Sequence, residues 1–340
     1  MMSHEKNRIL LVSSENSEFT DPWRKTLVKL GYTVTLFDQR SGAYYYNKYV
    51  RKLYRIIPGA KQVLKRSTSK KFLKKIRENS VDYVIALKAE TILPEAILEA
   101  RKMGIVTINW YPEYIWNWSV IEKIAPAYDF FFCPDPYILN KLKEEKGLNN
   151  CFYLTYAADI DGNTPNPFEG RQEIYNVSMV ASYSGFMFSN RSGYLTLIKD
   201  LGLNVWGSEE WAGSSLKKCY RGKVTPGGVL DIYRKTKIVP NMHYNKYPAA
   251  GTNLRPFEAM ASGAMVISDD IRADIFNVFK DGEEFVSFHE GDSQRFKELV
   301  EYYLNNPEER LKIAKNGYQA IMTRHTYFMR MKEMMDIINK

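Results

Sequence analysis

Cysteine is scarce: Cys133, Cys151 and Cys219 are the only three, and no C-x-x-C pair occurs. An odd, scattered set argues against a disulfide framework and against a zinc ribbon, and fits a reducing compartment. The four histidines, His4, His243, His289 and His325, show no metal-ligand spacing. Gly and Pro together number 34, one tenth of the chain, which excludes collagen-like and low-complexity architectures. No window approaches the ~18 uninterrupted apolar residues of a membrane span. The opening MMSHEKNRILLVSS lacks a long apolar core and a small-residue cleavage site, so it is not read as a secretory signal. Neither a G-x-x-x-x-G-K-[ST] phosphate loop nor a G-x-S-x-G nucleophile elbow is present. What remains is a 340-residue globular chain, 45% hydrophobic and 26% charged, expected to be cytoplasmic and to form about two domains.

Acidic residues are missing from one stretch. Between residues 48 and 77 there are twelve Lys and Arg and no Asp or Glu; the rest of the chain holds 36 basic against 39 acidic residues. The net charge of +9 is therefore one local patch. Lys70, Lys71, Lys74 and Lys75 lie in it, and Tyr44, Tyr45, Tyr46, Tyr49 and Tyr54 adjoin or interrupt it. Basic residues with interfacial aromatics suit an anionic membrane surface, and equally a nucleic acid or acidic glycan. A solvated helix face is the plainer alternative.

The chain reads as two similar halves. Compact apolar or β-branched runs at 8–14, 32–37, 81–87, 106–110 and 130–133 alternate with helical spacing at 19–30, 70–79, 94–103 and 137–146. Residues 161–172 (DGNTPNPFEGRQ) read as a linker. The alternation then restarts, with strands at 177–181, 204–206, 238–241 and 264–268. Helices are expected at 194–201, 230–235, 256–262, 293–305 and 308–323. This predicts α/β architecture: two doubly wound, Rossmann-like domains, at 1–160 and 173–324. A terminal helix at 325–340 is expected to pack back on the first. Ligands in such sheets bind at the carboxyl ends of the strands, and the largest cleft is expected between the domains.

The most informative segment is 251–270, GTNLRPFEAMASGAMVISDD. Pro256 is placed to open a helix and Gly263 to close it. Gly251, Thr252 and Asn253 then approach a helix start, whose amides favour phosphate or carboxylate. Arg255 adds a cationic fork for phosphate oxygens, and Glu258 a carboxylate able to accept two ribose hydroxyls. The plainer alternative is that these two complement the helix dipole or each other.

This segment resembles the donor-binding signature of group-1 GT-B glycosyltransferases. It is closest in pattern to the spore-maturation-protein branch, "G-x-N-x-R-x-F-E-A-M-A-x-G". Gly251, Asn253, Arg255, Phe257, Glu258, Ala259, Met260, Ala261 and Gly263 match it. The resemblance covers nearly all of 173–340; in the first half it is mostly the alternation of elements. It implies transfer of a sugar from a nucleotide-sugar donor, released as a nucleoside diphosphate, with the donor held by the second domain and the acceptor by the first. Carried over, Glu258 would bind the ribose, and Gly251, Thr252 and Asn253 the diphosphate or sugar. Arg255, Arg191, Ser184 and Gly185 would lie near the phosphates, and Val224 and Tyr233 near the base. A UDP-sugar is the favoured donor, and no cofactor or metal is expected.

One departure bears on mechanism. Many retaining members carry a glutamate eight positions before the one matched by Glu258; here that position is Ala250. An inverting enzyme needs a general base near the acceptor hydroxyl. The candidates are Glu15 and Glu113, each in a turn after a predicted strand, with Asp21 behind them; His243 is a further candidate. Trp110, Tyr111, Tyr114, Trp116 and Trp118 form an aromatic stretch suited to sugar contact or to a core. Asp159 and Asp161 make a D-x-D pair, read as structural. The expected acceptor is a glycan or lipid-linked glycan at an anionic surface. The alternatives are a glycosyltransferase of modified DNA bases, and a catalytically weak sugar-nucleotide-binding protein of a coat or surface assembly.

Overall fold

The computed structural model describes residues 7–41, 47–183, 189–225 and 227–340. The chain divides into two compact units, Met1–Thr155 with Met331–Lys340, and Tyr156–Arg330. Both are α/β with wholly parallel sheets.

The first unit is built on β1 (Arg8–Ser13), β2 (Thr33–Asp38), β3 (Tyr83–Leu87), β4 (Val106–Trp110), β5 (Phe130–Cys133) and β6 (Cys151–Tyr153), in the order β2-β1-β3-β4-β5-β6. Every residue of β3 is buried, as expected of a parallel strand covered on both faces. Leu10, Val12, Val84, Ala86 and Phe131 pack against Phe72, Ile76 and Ile138; Trp23 lies on Trp110, ring centroids 5.3 Å apart. Asp135 caps the Pro136–Lys146 helix by accepting from the Tyr137 N–H at 3.0 Å, and Gly147 ends it in the left-handed region.

Three elements here escaped the sequence pattern, one of them the helix Trp118–Ile124. The helix expected at 70–79 runs over Ala60–Asn79, and another precedes it at Lys48–Ile56. The basic run hides its apolar periodicity: only Ala60, Ser69, Phe72 and Ile76 are buried in the longer helix. β6 is three residues long, too short to show alternation.

The second unit carries β7 (Tyr175–Ala181), β8 (Leu203–Gly207), β9 (Thr236–Asn241), β10 (Met265–Asp269) and β11 (Val286–Phe288), in the order β11-β10-β9-β7-β8. One face packs Val177, Met179, Val205, Ile238 and Ile267 under Phe296 and Val300. The other packs Val239, Val266, Phe257 and Met260 under Ile321. Residues 156–172 belong to this unit. Arg171 donates to the carbonyls of Ser262 (2.9 Å) and Thr236, and Phe168 meets Tyr318 edge-on. Gly263 (φ +75°) lies under this strap: a Cβ there would stand 2.6 Å from Arg171 Nη1.

Candidate functional site

The site begins with a proline. Pro240 lies inside β9, which pairs with β7 only as far as Val177↔Ile238, because proline has no N–H to continue a ladder. The carboxyl end of β7 is therefore left open on that side. Val180 is served instead by side chains: its N–H donates to the Tyr233 hydroxyl (3.4 Å), and its carbonyl accepts from Arg255 Nη2 (3.4 Å). Arg255 Nη1 donates to Asn241 Oδ1 at 2.9 Å. The guanidinium thus bridges the ends of β7 and β9. Its partners are neutral oxygens, and its buried Nε has no partner among the described residues. Among the described residues no carboxylate makes an ion pair with this half-buried cation, and the charges of Arg255 and Glu258 both reach Tyr233 at the strand ends.

A second layer holds the 251–254 loop. His243 is buried, its side chain 1% exposed. Its Nδ1 lies 2.6 Å from Asp269 Oδ1, and its backbone N–H donates to Asp269 Oδ2 at 2.7 Å. The carboxylate accepts, so Nδ1 carries the proton and Nε2 is the acceptor. Nε2 faces Thr252 Oγ1 at 3.0 Å and Asn241 Nδ2 at 3.2 Å. Both ring nitrogens are engaged by protein groups, and the ring ties Thr252 to the end of β10. Behind it, buried Arg272 donates to the carbonyls of Ala249 (2.6 Å) and Tyr244, and the Asp274 N–H donates to the Ala250 carbonyl at 3.1 Å. Asn253 Oδ1 accepts from the Arg255 N–H at 3.1 Å, turning the chain into the Arg255–Ala261 helix. Asn241, Asp269 and Arg272 were not singled out in the sequence; Asn241 and Asp269 stand at the ends of the expected strands 238–241 and 264–268, and Arg272 had no such signal.

Gly251 is buried in the loop, and Glu258 is half-buried on the helix it opens. Arg191 is 4% exposed and donates to the carbonyls of Ser182 (3.1 Å) and Met242 (3.4 Å), a second clamp between the ends of β7 and β9. Tyr233 is buried, its hydroxyl pushed up to about 12 by burial first and then eased by Arg255. Val224 is half-buried before the Gly228–Arg234 helix. Ser184 and Gly185, like Tyr44, Tyr45 and Tyr46, lie outside the described residues. Asp161 serves its own turn, accepting from the Asn163 N–H at 2.9 Å. Among the described residues no group of three or more His, Cys, Asp or Glu is placed to hold a metal ion.

In the first unit, Glu15 is exposed in the turn after β1, while Glu113 pairs with Lys88. Lys88 (φ 67°) and Ala89 (φ 48°) are consecutive left-handed residues after β3. For non-glycine residues this costs roughly 1–2 kcal/mol each. Buried side chains hold the turn: Gln39 Nε2 donates to the Leu87 carbonyl (3.1 Å), and Asn109 Nδ2 to that of Lys88 (3.3 Å). Tyr111 donates to Glu90 Oε1 at 2.6 Å, and its hydroxyl is raised by burial and then by Glu90 and Glu113. Trp110 and Tyr111 prove to be core, whereas Trp116 is 36% exposed. Lys70, Lys71 and Lys74 are exposed and Lys75 half-buried on the Ala60–Asn79 helix. Beside its amino end, Ile56, Ile57 and Val63 are exposed at 69%, 47% and 63%. No described helix is long and apolar enough to cross a membrane.

The glycosyl transferase-like family matches residues 192–336, which contain the loop and helix just described. No curated protein matches the sequence. Among solved structures, sucrose-phosphate synthase from Thermosynechococcus elongatus superposes with a TM-score of 0.68 at 11% identity, over 98% of each chain. Anabaena HepE in complex with UDP-glucose gives 0.65 at 10% identity, over 98% of this chain and 99% of that one. The chain has the GT-B fold. An α-glucosyltransferase in complex with UDP-glucose and DNA containing an abasic site gives 0.65 at 12% identity, over 99% of this chain and all of that one. At these identities the likeness is one of fold. The GT-B organisation expected from the 251–263 motif is therefore present, in two parallel sheets of six and five strands.

Proposed function

We propose that the protein is a glycosyltransferase that takes its sugar from a nucleotide-sugar donor at the second unit. The observation that carries this reading is Arg255: a half-buried guanidinium with neutral partners, at the carboxyl ends of β7 and β9, one helical turn from Glu258. Anions are attracted to such a charge, and ligands in open α/β sheets bind at these strand ends. Arg255, Arg191 and the 251–253 loop would hold the diphosphate, Glu258 the ribose hydroxyls, and Val224 and Tyr233 would lie towards the base. Charge developing on the leaving diphosphate would then be stabilised without a metal. His243 acts here by positioning Thr252. On the 251–263 motif the branch nearest the chain is the spore-maturation-protein-like one. A UDP-sugar is the favoured donor, a preference supported by the UDP-glucose bound in the HepE and α-glucosyltransferase structures.

The acceptor in this reading is a glycan or lipid-linked glycan reached at an anionic surface, at the inner face of the membrane. The Ala60–Asn79 helix supports it: its cations adjoin Ile56, Ile57 and Val63, aliphatic side chains that a bilayer would bury and a nucleic acid would not. Action on DNA is the second reading, favoured by the same cations and by the DNA in the α-glucosyltransferase structure. Glu113 and Glu15 are the general-base candidates.

The test is a titration of the full chain with nucleoside diphosphates. Selective binding of one of them is expected, and Glu258→Ala should weaken it by roughly 1–3 kcal/mol, the scale of lost charge-assisted hydrogen bonds. Unchanged affinity in the folded variant would remove Glu258 from the site; no nucleotide binding by wild type would remove the donor reading.

A further inference from the structure

We propose that the amino end of β8 in the second unit binds a small phosphorylated molecule. This end of the sheet is opposite the strand ends that carry the 251–254 loop, so the site is separate from the donor site and does not depend on the glycosyl-transfer reading. A cleft of about 490 Å³ opens there, between residues 199–204, which turn into the strand, and residues 215–221. β8 is the last strand of its sheet, and the second rim is tied to its outer edge through the backbone. The Val205 N–H donates to the Cys219 carbonyl at 2.9 Å, and the Arg221 N–H to the Val205 carbonyl at 2.8 Å. The volume falls in the range of small-molecule clefts.

The charge of the lining indicates what enters. Lys199, Lys217, Lys218 and Arg221 line the cleft against a single carboxylate, Asp200. None of these five groups makes an ion pair among the described residues. Arg221 is held in place: its Nε donates to Asn204 Oδ1 at 2.7 Å and its Nη1 to the Lys218 carbonyl at 3.4 Å, leaving Nη2 without a partner among the described residues. Asn204 is 8% exposed, and its Nδ2 donates to the Gly202 carbonyl at 3.0 Å, so both ends of the amide are committed. Burial raises the Cys219 thiol, and Arg221, Asp200 and Lys199 then act on it in that order; charges from both rims converge on one lining side chain. A cleft lined by one sign of charge focuses its field, and a fixed guanidinium beside ammonium groups matches phosphate oxygens. Buried Leu203 and Cys219 give the carbon skeleton an apolar wall. A nucleic acid strand follows an extended groove of charge; cations gathered around one enclosed volume favour a small ligand.

The experiment is lysine acetylation of the full chain mapped by mass spectrometry, at a constant ionic strength of about 0.15 M. The probes are inorganic pyrophosphate and fructose bisphosphate, with duplex DNA as a third arm. Either small probe is expected to slow acetylation of Lys199, Lys217 and Lys218 and to leave the exposed Lys70 and Lys74 unchanged. Pyrophosphate held at the donor loop alone would not protect these three lysines. Lys217→Gln/Arg221→Gln replaces two exposed side chains, and the probe concentration that half-protects Lys199 and Lys218 should rise roughly tenfold, the scale of a lost hydrogen bond to a charged group. Nucleotide titration of this variant should stay as wild type. Four results overturn the proposal: no protection by either small probe, equal protection of Lys70 and Lys74, undiminished protection in the double variant, or protection by DNA alone. None of them touches the donor reading, which stands or falls on nucleotide binding by wild type.

Discussion

Asp269 is where the second unit's loop architecture can be tested most sharply. Its carboxylate is 2% exposed and receives two donors, the His243 ring Nδ1–H at 2.6 Å and the His243 backbone N–H at 2.7 Å. Asp269→Ala strands both. Each buried donor left unmade costs about 1–3 kcal/mol, offset in part because an ion no longer has to be desolvated. The expected loss is about 3 kcal/mol. Asp269→Asn differs instructively. Its amide oxygen still accepts the backbone N–H, and its NH2 can donate to Nδ1 if the imidazole moves its proton to Nε2. Nε2–H would then donate to the Thr252 hydroxyl, with a residual conflict against Asn241 Nδ2 at 3.2 Å. That conflict is partial, so the Asn variant should cost only about 1 kcal/mol. In a unit of this size the Ala variant should melt roughly 6–12 °C lower and the Asn variant about 2–4 °C lower, by calorimetry of the full chain. Nucleotide affinity should fall with Ala, since Thr252 loses its anchor, and persist with Asn. If Asn is as damaging as Ala, charge rather than hydrogen bonding holds the loop; if Ala leaves both melting and nucleotide binding intact, the His243–Asp269 link does not position it.

His325 is held down to about 3 by burial, then by the charges of Arg330 and Arg324, against 6.5 for the free side chain. Its folded pKa is depressed, so the unfolded chain binds the extra proton. Stability is full above pH 6.5 and should fall by about 1.4 kcal/mol per unit as pH drops towards 3, a slope that His325→Gln should flatten in melting curves. Replacing Lys70, Lys71, Lys74 and Lys75 with Gln should lower co-sedimentation with anionic vesicles by ~1 kcal/mol per residue at low salt and leave nucleotide binding untouched. The wild-type signal should fade as the Debye length shrinks from about 10 Å at 0.1 M salt to 3 Å at 1 M. With the diphosphate held by guanidinium and amide groups, sugar transfer should survive EDTA; an absolute need for a divalent cation would return Asp159 and Asp161 to consideration.

Much of this protein was already written in local pattern. Strands such as 81–87 and 106–110 are legible because parallel strands buried on both faces demand continuous β-branched and aromatic runs. Pro256, Gly263 and Glu258 lie in one contiguous segment, so the helix and its neighbouring loop can be read without any long-range contact. The basic stretch is a matter of composition. The rest depended on residues distant in sequence. Pro240 opens the sheet at Val180, and only the folded chain brings Tyr233 and Arg255 to fill the gap. Ala89 carries no sign of a left-handed backbone; Gln39 and Asn109, from β2's end and β4, impose it. His243 looked like a residue for a cleft, and Asp269, 26 positions later, buries it as a tether. Local sequence sets which elements form, because propensity and periodicity act over a few residues. Which polar groups meet at the strand ends is decided by tertiary structure, because parallel strands far apart in the chain finish side by side.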